Sequence, residues 1–339
     1  MTIEVVGIAV LWLFLYGYLI VASIDFGAGF FHFFNKVSSK NYQVDRLIQR
    51  YLSPVWEVTN VFLVFFFVGI IGFFPDTAYY FGTALLVPGS LSIVLIAIRG
   101  SYYAFNTYGA RDSKVYSFLY GASGLLIPAS FTTVLTISEG GYLSMTGDTV
   151  ELMLGELLTS TYSWSVVFLA IVCVLYISAA FLTYYAYQAG DVPSYWLFRK
   201  YTLFWAGPTI LASLLVFFAI SGHNPDHFER LLEMSWMFVL SFLFYAGAVF
   251  LIYRRRYHGI AFLLVMLQFF AAWFGYGATH LPYLLYPHLT IYDGFVNETM
   301  AQALIIAFLA GFALLIPSLY LLMRLFLFDA EYIRGTKPK

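Results

Sequence analysis

Charge is what this chain has least of. Only 10% of its 339 residues are Asp, Glu, Lys or Arg, against about 25% in an average soluble domain, too few to clothe a water-exposed surface. Cysteine is almost as scarce. Cys173 stands alone, which excludes an intrachain disulfide, a thiolate zinc site, an iron–sulfur cluster and a C-x-x-C-H haem attachment; its simplest role is core packing in a helix. No basic stretch precedes the first apolar run and no small-residue cleavage site follows it, so that run reads as a span, not a removed signal peptide. Polar linkers, low-complexity tracts and a second soluble domain are also missing.

What fills the chain instead is apolar sequence, 61% hydrophobic and 21% aromatic. Continuous apolar runs recur from end to end, long enough at about 1.5 Å per residue to cross a hydrocarbon core of roughly 30 Å. A transmembrane β-barrel would need short segments alternating in polarity, so helices are the remaining solution. The expectation is an all-α integral membrane protein, one polytopic domain over 1–339, with about nine transmembrane helices near 5–34, 53–74, 78–107, 114–137, 160–189, 197–220, 234–253, 258–279 and 299–328.

The breaks sort by sign. Those after odd-numbered helices, with the carboxyl-terminal tail, hold 15 of the 17 basic residues: Lys36, Lys40, Arg46, Arg50, Arg111, Lys114, Arg199, Lys200, Arg254, Arg255, Arg256, Arg324, Arg334, Lys337 and Lys339. The intervening breaks hold Asp76, Glu139, Asp148, Glu151, Glu156, Asp226, Glu229, Glu233, Asp293 and Glu298, with Arg230 as their one base. Because short cytoplasmic loops accumulate Lys and Arg, the amino terminus is expected outside and the carboxyl terminus in the cytoplasm. Tyrosines near helix ends, among them Tyr79, Tyr80, Tyr102, Tyr103, Tyr283 and Tyr286, read as interfacial belts.

Setting loop charges aside leaves Asp25, Glu57 and Arg99 inside the spans. Each costs about 2.5–3.5 kcal/mol at a helix centre, so each is expected to be paired, hydrated or functional. Counted from the basic ends at about 1.5 Å per residue, Asp25 lies about 15 Å in, Arg99 about 12 Å and Glu57 about 6 Å. Tyr18, Asp25 and His32 share a stripe on the first helix, as Ser53, Glu57 and Asn60 do on the second and Ser92, Arg99 and Asn106 on the third. Two readings follow: a hydrated path carrying protons inward from the cytoplasm, or a structural ion pair in which Arg99 neutralises one or both acids. They differ in proton affinity, since a carboxylate paired with Arg99 keeps a low pKa and a desolvated, unpaired one has it raised.

Haem bound by this chain alone is not expected. His32 is at the inner end of its helix and His280 at the outer end of another, so they cannot face each other across one haem; His223, His227 and His288 are assigned to outer loops and His258 to an inner boundary. No residue is assigned to catalysis, to a cofactor or to a metal.

The run Ser23-Ile24-Asp25-Phe26-Gly27-Ala28-Gly29, then Pro54-Val55-Trp56-Glu57-Val58-Thr59-Asn60-Val61-Phe62, and Arg99-Gly100 resemble subunit II of cytochrome bd-type quinol oxidases. Leu289-Thr290-Ile291-Tyr292-Asp293 and Leu315-Ile316-Pro317 extend the likeness over essentially the whole chain. Against the family patterns F-D-x-G-x-G and H-W-D-G-N-[EQ]-V-W, this sequence keeps Asp25, Gly27, Gly29, Trp56 and Val61, and has Val55 for His and Glu57 for Asp. The family's R-G-x-x-F-E-F-R becomes Arg99-Gly100-Ser101-Tyr102-Tyr103-Ala104-Phe105-Asn106, without its second acid and base. The resemblance implies two four-helix bundles plus a peripheral helix, and a partner, subunit I, that holds b-type and d-type haems and oxidises quinol while reducing oxygen to water. It implies a bacterial or archaeal plasma membrane and leaves open a small third subunit and a bound lipid or quinone; no nucleic acid is expected. Asp25 and Glu57 then become the candidates for proton delivery, Arg99 their holder, and Tyr18, His32, Ser53, Trp56 and Asn60 the supporting groups. A proton-coupled secondary transporter is the alternative from another class, since Gly/Pro-interrupted helices with midplane acids suit one too.

Overall fold

In lipid every backbone N–H and C=O must be satisfied within its own segment, and the apolar runs accordingly fold as long α-helices. The computed structural model describes residues 2–38, 42–108, 114–146, 149–322 and 324, without the side chains of 42–46, 49–58, 103–108, 114, 145, 146 and 149. The helices are α1 (Ile3–Ser38), α2 (Tyr42–Phe73), α3 (Pro75–Ala84), α4 (Leu86–Tyr108), α5 (Lys114–Ser138), α6 (Leu154–Thr159), α7 (Thr161–Ala189), α8 (Val192–His223), α9 (Pro225–Glu233), α10 (Ser235–Arg254), α11 (His258–His280) and α12 (Glu298–Leu322). Among the described residues seven are long and apolar enough to cross a membrane: α1, α5, α7, α8, α10, α11 and α12. The α3–α4 pair adds an eighth if read as one bent span, and α2 contributes an apolar stretch over Thr59–Phe73.

Several boundaries differ from the sequence reading for identifiable reasons. The third span, expected as one helix over 78–107, breaks at Leu85 with an 81° bend. Pro88 follows three residues later; it lacks an N–H and its ring crowds the carbonyl of residue 84, so the helix restarts instead of continuing. Helix α8 begins at Val192, not 197, because Gly190 in the left-handed conformation (φ 68) closes α7 and Asp191 caps α8 by accepting from Ser194 N at 3.1 Å. Arg199, counted by sign with the break before it, thereby lies two turns inside α8. There it is buried and donates to two carbonyls at the end of α10, that of Ile252 (3.0 Å), which also accepts from Arg255 N, and that of Tyr253 (2.8 Å). Two small hairpins were not expected from hydropathy: β1 (Leu143–Thr146) with β2 (Thr149–Leu152), and β3 (Tyr283–Leu285) with β4 (Leu289–Thr290). Cys173 lies on α7 half-buried, not in the core.

Helix α1 is the axis. It packs on α2, α5, α7, α11 and α12, while α4 packs on α5, α7 on α8 and α11, and α10 on α8 and α11. The helices thus gather into two groups that meet across α1, with α12 lying outside on α1 and α2. Trp12 and Trp273 join α1 to α11: their rings stack at 4.3 Å, and each indole N–H donates to the other residue's carbonyl, at 3.0 and 3.2 Å. Tyr16 adds a bond to the Met266 carbonyl at 2.8 Å. Outward faces carry fully apolar side chains, such as Leu314 at 73% exposure and Phe218 at 67%, the composition that lipid contact requires. One end of the bundle bears Lys36, Arg199 and Arg254–Arg256, the other Asp76, Glu139, Asp226 and Glu298; these are the basic and acidic ends below.

Close approach of α1 to α7 depends on Gly27. A Cβ there would run into the Cβ of Ser178 and lie 2.8 Å from the Val174 carbonyl oxygen, where Ser178 Oγ now donates to the Ile24 carbonyl at 3.0 Å. Gly27→Ala is expected to force the two helices apart at a cost of about 1–3 kcal/mol, seen as a fall of several degrees in the melting temperature of the detergent-purified protein; an unchanged Tm would show that the contact is not tight.

Candidate functional site

Asp25 sits in the middle of α1's buried face, 1% exposed, and Arg99 of α4 comes to meet it, also 1% exposed. Arg99 Nε donates to Asp25 Oδ2 at 2.9 Å, one terminal nitrogen donates to the Asp25 carbonyl at 2.5 Å, and the other donates to the Tyr120 carbonyl on α5 at 3.0 Å. The guanidinium also lies over the Tyr120 ring at 4.0 Å and near Phe26 at 5.1 Å. Tyr120 Oη reaches Asp25 Oδ1 at 3.4 Å. A charge that would be costly in lipid is thereby neutralised and hydrogen-bonded at once.

Room for this comes from glycine. A Cβ on Gly29 would lie 2.9 Å from both terminal nitrogens of Arg99 and 2.8 Å from the Tyr120 ring, and one on Gly124 of α5 would collide with the Phe26 carbonyl. The glycines of Asp25-Phe26-Gly27-Ala28-Gly29 therefore serve two different needs, helix contact at Gly27 and guanidinium access at Gly29.

Toward the basic end the polar chain continues. Tyr102 stacks on Tyr120 at 4.2 Å and its hydroxyl lies 3.1 Å from His32 Nε2. Tyr102, read from sequence as part of an interfacial belt, is buried and belongs to this centre. Tyr18, Asp25 and His32 are all buried, as their common stripe predicts, and so is Ser92, though its hydroxyl turns back to the Pro88 carbonyl at 3.0 Å. Asn60 is half-buried. The side chains of Ser53, Trp56, Glu57, Tyr103 and Asn106 lie outside the described residues.

A second polar centre lies at the acidic end, and sequence reasoning missed it by assigning Glu139 and His227 to loops and His280 to a helix end. Glu139, the first residue beyond α5, is 2% exposed, and His227 of α9 is 0% exposed. Glu139 lies 2.9 Å from His227 Nδ1 and 3.4 Å from His280 Nδ1; Tyr276 Oη donates to it at 2.5 Å and Asn224 Nδ2 at 3.0 Å. Burial pushes the Glu139 carboxyl up, but the close approach of the His227 and His280 imidazoles outweighs it and holds the group well below the usual carboxylate range. Asn224 also caps α9, accepting from His227 N at 3.1 Å, so one residue builds the short helix and aims its histidine. The spacings Asn224/His227 and Tyr276/His280, three and four residues apart on helices, were the available signal.

The family model described as cytochrome bd terminal oxidase subunit II matches residues 3–326. The chain belongs to that family. Its subunit II relatives include a protein of Bacillus subtilis (strain 168) named putative cytochrome bd menaquinol oxidase subunit II, 28% identical over 98% of each chain. The solved structure of bd oxidase from Geobacillus thermodenitrificans matches with TM-score 0.86 at 60% identity, covering 97% of this chain and 100% of that one. This subunit II is thus a multi-pass protein of the bacterial plasma membrane and part of a haem-dependent respiratory terminal oxidase, and the comparisons favour that reading over a transporter.

Removing one partner of the inner pair should be severe. Arg99→Met leaves a buried carboxylate uncompensated, at an expected cost of about 3–5 kcal/mol, whereas the double substitution Arg99→Met with Asp25→Leu should recover most of that loss. Thermal melts of the three purified forms test this: equal loss in the single and double variants would mean that the pair is not the unit of stability.

Proposed function

We propose that this chain is the haem-free partner of a subunit I that holds two b-type haems and one d-type haem, in a plasma-membrane complex that oxidises two quinols to quinones while reducing one O2 to two waters. The four protons consumed at oxygen come from the cytoplasm. In this reading nine spans run from an outer amino terminus to a cytoplasmic carboxyl terminus, α2 and the bent α3–α4 pair each counting as one, and the basic end faces the cytoplasm. The sign segregation of the breaks supports that orientation.

The observation that carries the functional reading is the buried Asp25–Arg99 pair with its Tyr120, Tyr102 and His32 extension toward the basic end. It also divides the labour. Asp25, with one oxygen on Arg99 and the other facing Tyr120, is the fixed anchor that orders the path. Glu57, on α2 beside α1 and nearer the basic end, is the carboxyl that exchanges protons, with Tyr18, Ser53, Trp56 and Asn60 as the supporting groups assigned from the sequence.

In complexes matched for haem content, Glu57→Gln is expected to slow oxidase turnover at least several-fold and to lower membrane-potential generation in proteoliposomes. Asp25→Asn is expected to reduce the yield of assembled complex first. Unchanged turnover and potential in both variants would remove the proton-path reading, and a pure assembly defect in both would leave the pair a structural one.

A further inference from the structure

We propose that Glu139, His227 and His280 form a binding site for one divalent transition-metal ion of the zinc class at the acidic end of the bundle. The three ligand atoms, one from each side chain, all lie within 4.8 Å of one another. Those of Glu139 and His227 are 2.9 Å apart and those of Glu139 and His280 are 3.4 Å apart. Ligands held about 2.0–2.1 Å from a tetrahedral ion are separated by about 3.3 Å, so the His280 edge already has that length and the His227 edge would open by about 0.4 Å.

Hydrogen-bond direction shows which atom is offered. The Thr279 hydroxyl has the carbonyls of Gly275 (3.1 Å) and Tyr276 (2.9 Å) within reach of its one proton, which assigns it the acceptor role toward His227 Nε2, 3.0 Å away. Nε2 therefore carries the hydrogen and Nδ1 turns a lone pair toward Glu139. Glu139 meanwhile receives Tyr276 Oη and Asn224 Nδ2, donors suited to a carboxylate. A lone pair and a carboxylate oxygen at 2.9 Å repel unless a cation lies between them, either a proton or a metal ion.

His280 decides between the two. It is buried, yet among the described residues neither ring nitrogen has a hydrogen-bond partner, and Nδ1 points to the same Glu139 oxygen that His227 approaches. A proton shared by His227 and Glu139 would leave His280 unsatisfied, at the usual cost of a buried polar group. One metal ion satisfies both imidazoles and the carboxylate together. Two imidazoles with one carboxylate is a donor set for zinc and its neighbours, and the Thr279 bond to His227 and the Tyr276 and Asn224 bonds to Glu139 are the outer supports such ligands carry. The ion would fasten the ends of α5, α9 and α11 to one another.

The test uses the whole complex purified through a tag on this chain. Elemental analysis, normalised to haem iron, is expected to give one equivalent of zinc or another divalent transition metal, with X-ray absorption at its edge reporting N/O ligands at about 2.0–2.1 Å. His280→Ala should drop that content below a tenth with the haem spectrum unchanged, and Thr279→Val should weaken affinity about 10–100-fold. If His280→Ala does not assemble, the wild-type complex, washed with chelator and titrated with Zn2+, decides: saturable uptake of one equivalent supports the site. A metal-free complex that takes up no Zn2+, or a metal equivalent that survives in His280→Ala, overturns it.

Discussion

The pairing of Asp25 with Arg99 constrains more of this fold than any other single contact. A carboxylate and a guanidinium, each about 1% exposed, cannot lie in a lipid-embedded bundle unless each satisfies the other. That demand fixes α4 against α1 and, through the Tyr120 carbonyl and ring, fixes α5 against both. It also dictates the small residues around it, since Gly29 clears space for the guanidinium and Gly124 lets α5 approach the Phe26 carbonyl. A motif that reads as Asp followed by two spaced glycines is, physically, one charge and the two clearances that allow it to be buried.

The same pair shapes the neighbouring chemistry. Tyr120 is held between Arg99 on one side and Tyr102 on the other, which places the Tyr102 hydroxyl against His32. A histidine one turn from the end of the hydrophobic span is thereby connected, through two aromatic rings, to a carboxylate buried near midspan. Asp25 has little freedom in this setting, since its carboxylate and its own carbonyl both bind Arg99. Charge compensation and proton exchange pull against each other at one residue, so a path that needs both is better served by two acids than by one.

How far the sequence reveals this depends on what each feature costs in lipid. Hydropathy reads the spans because an apolar run of that length has one stable state, and the three intramembrane charges stand out because charges are rare there. Pairing needed three dimensions: Asp25 and Glu57 are equally plausible partners for Arg99 until α4 is set against α1. Features at the helix ends were harder. The break at Leu85 was signalled by Pro88, but other prolines, such as Pro128 and Pro208, lie within unbroken helices, so proline alone did not decide it. Arg199 was counted with the preceding break by its sign, and the Gly190 and Asp191 caps set it two turns inside α8. Glu139 was hidden by company, one acid in a break with three others, although it alone among them directly follows a span.

The two polar centres are separated by aromatic packing. Phe14 stacks on Phe65 at 4.9 Å and meets Phe308 and Phe312 edge-on, and the Trp12–Trp273 pair lies beyond it. Tyr276, which holds Glu139, stacks on Trp12 from the other side. Rings that bury this much area at low conformational cost make a rigid middle. The Glu139 cluster lies beyond this packing, at the acidic end. Its work is more local: three helix termini converge there, each with backbone groups that the helix leaves unpaired, and Asn224 and Arg230 already tie α9 to Glu139 and to the Thr279 carbonyl. A cation held by Glu139 and two histidines would complete at the acidic end what Arg99 does within the membrane, by making one charge the reason that three separate helices share a position.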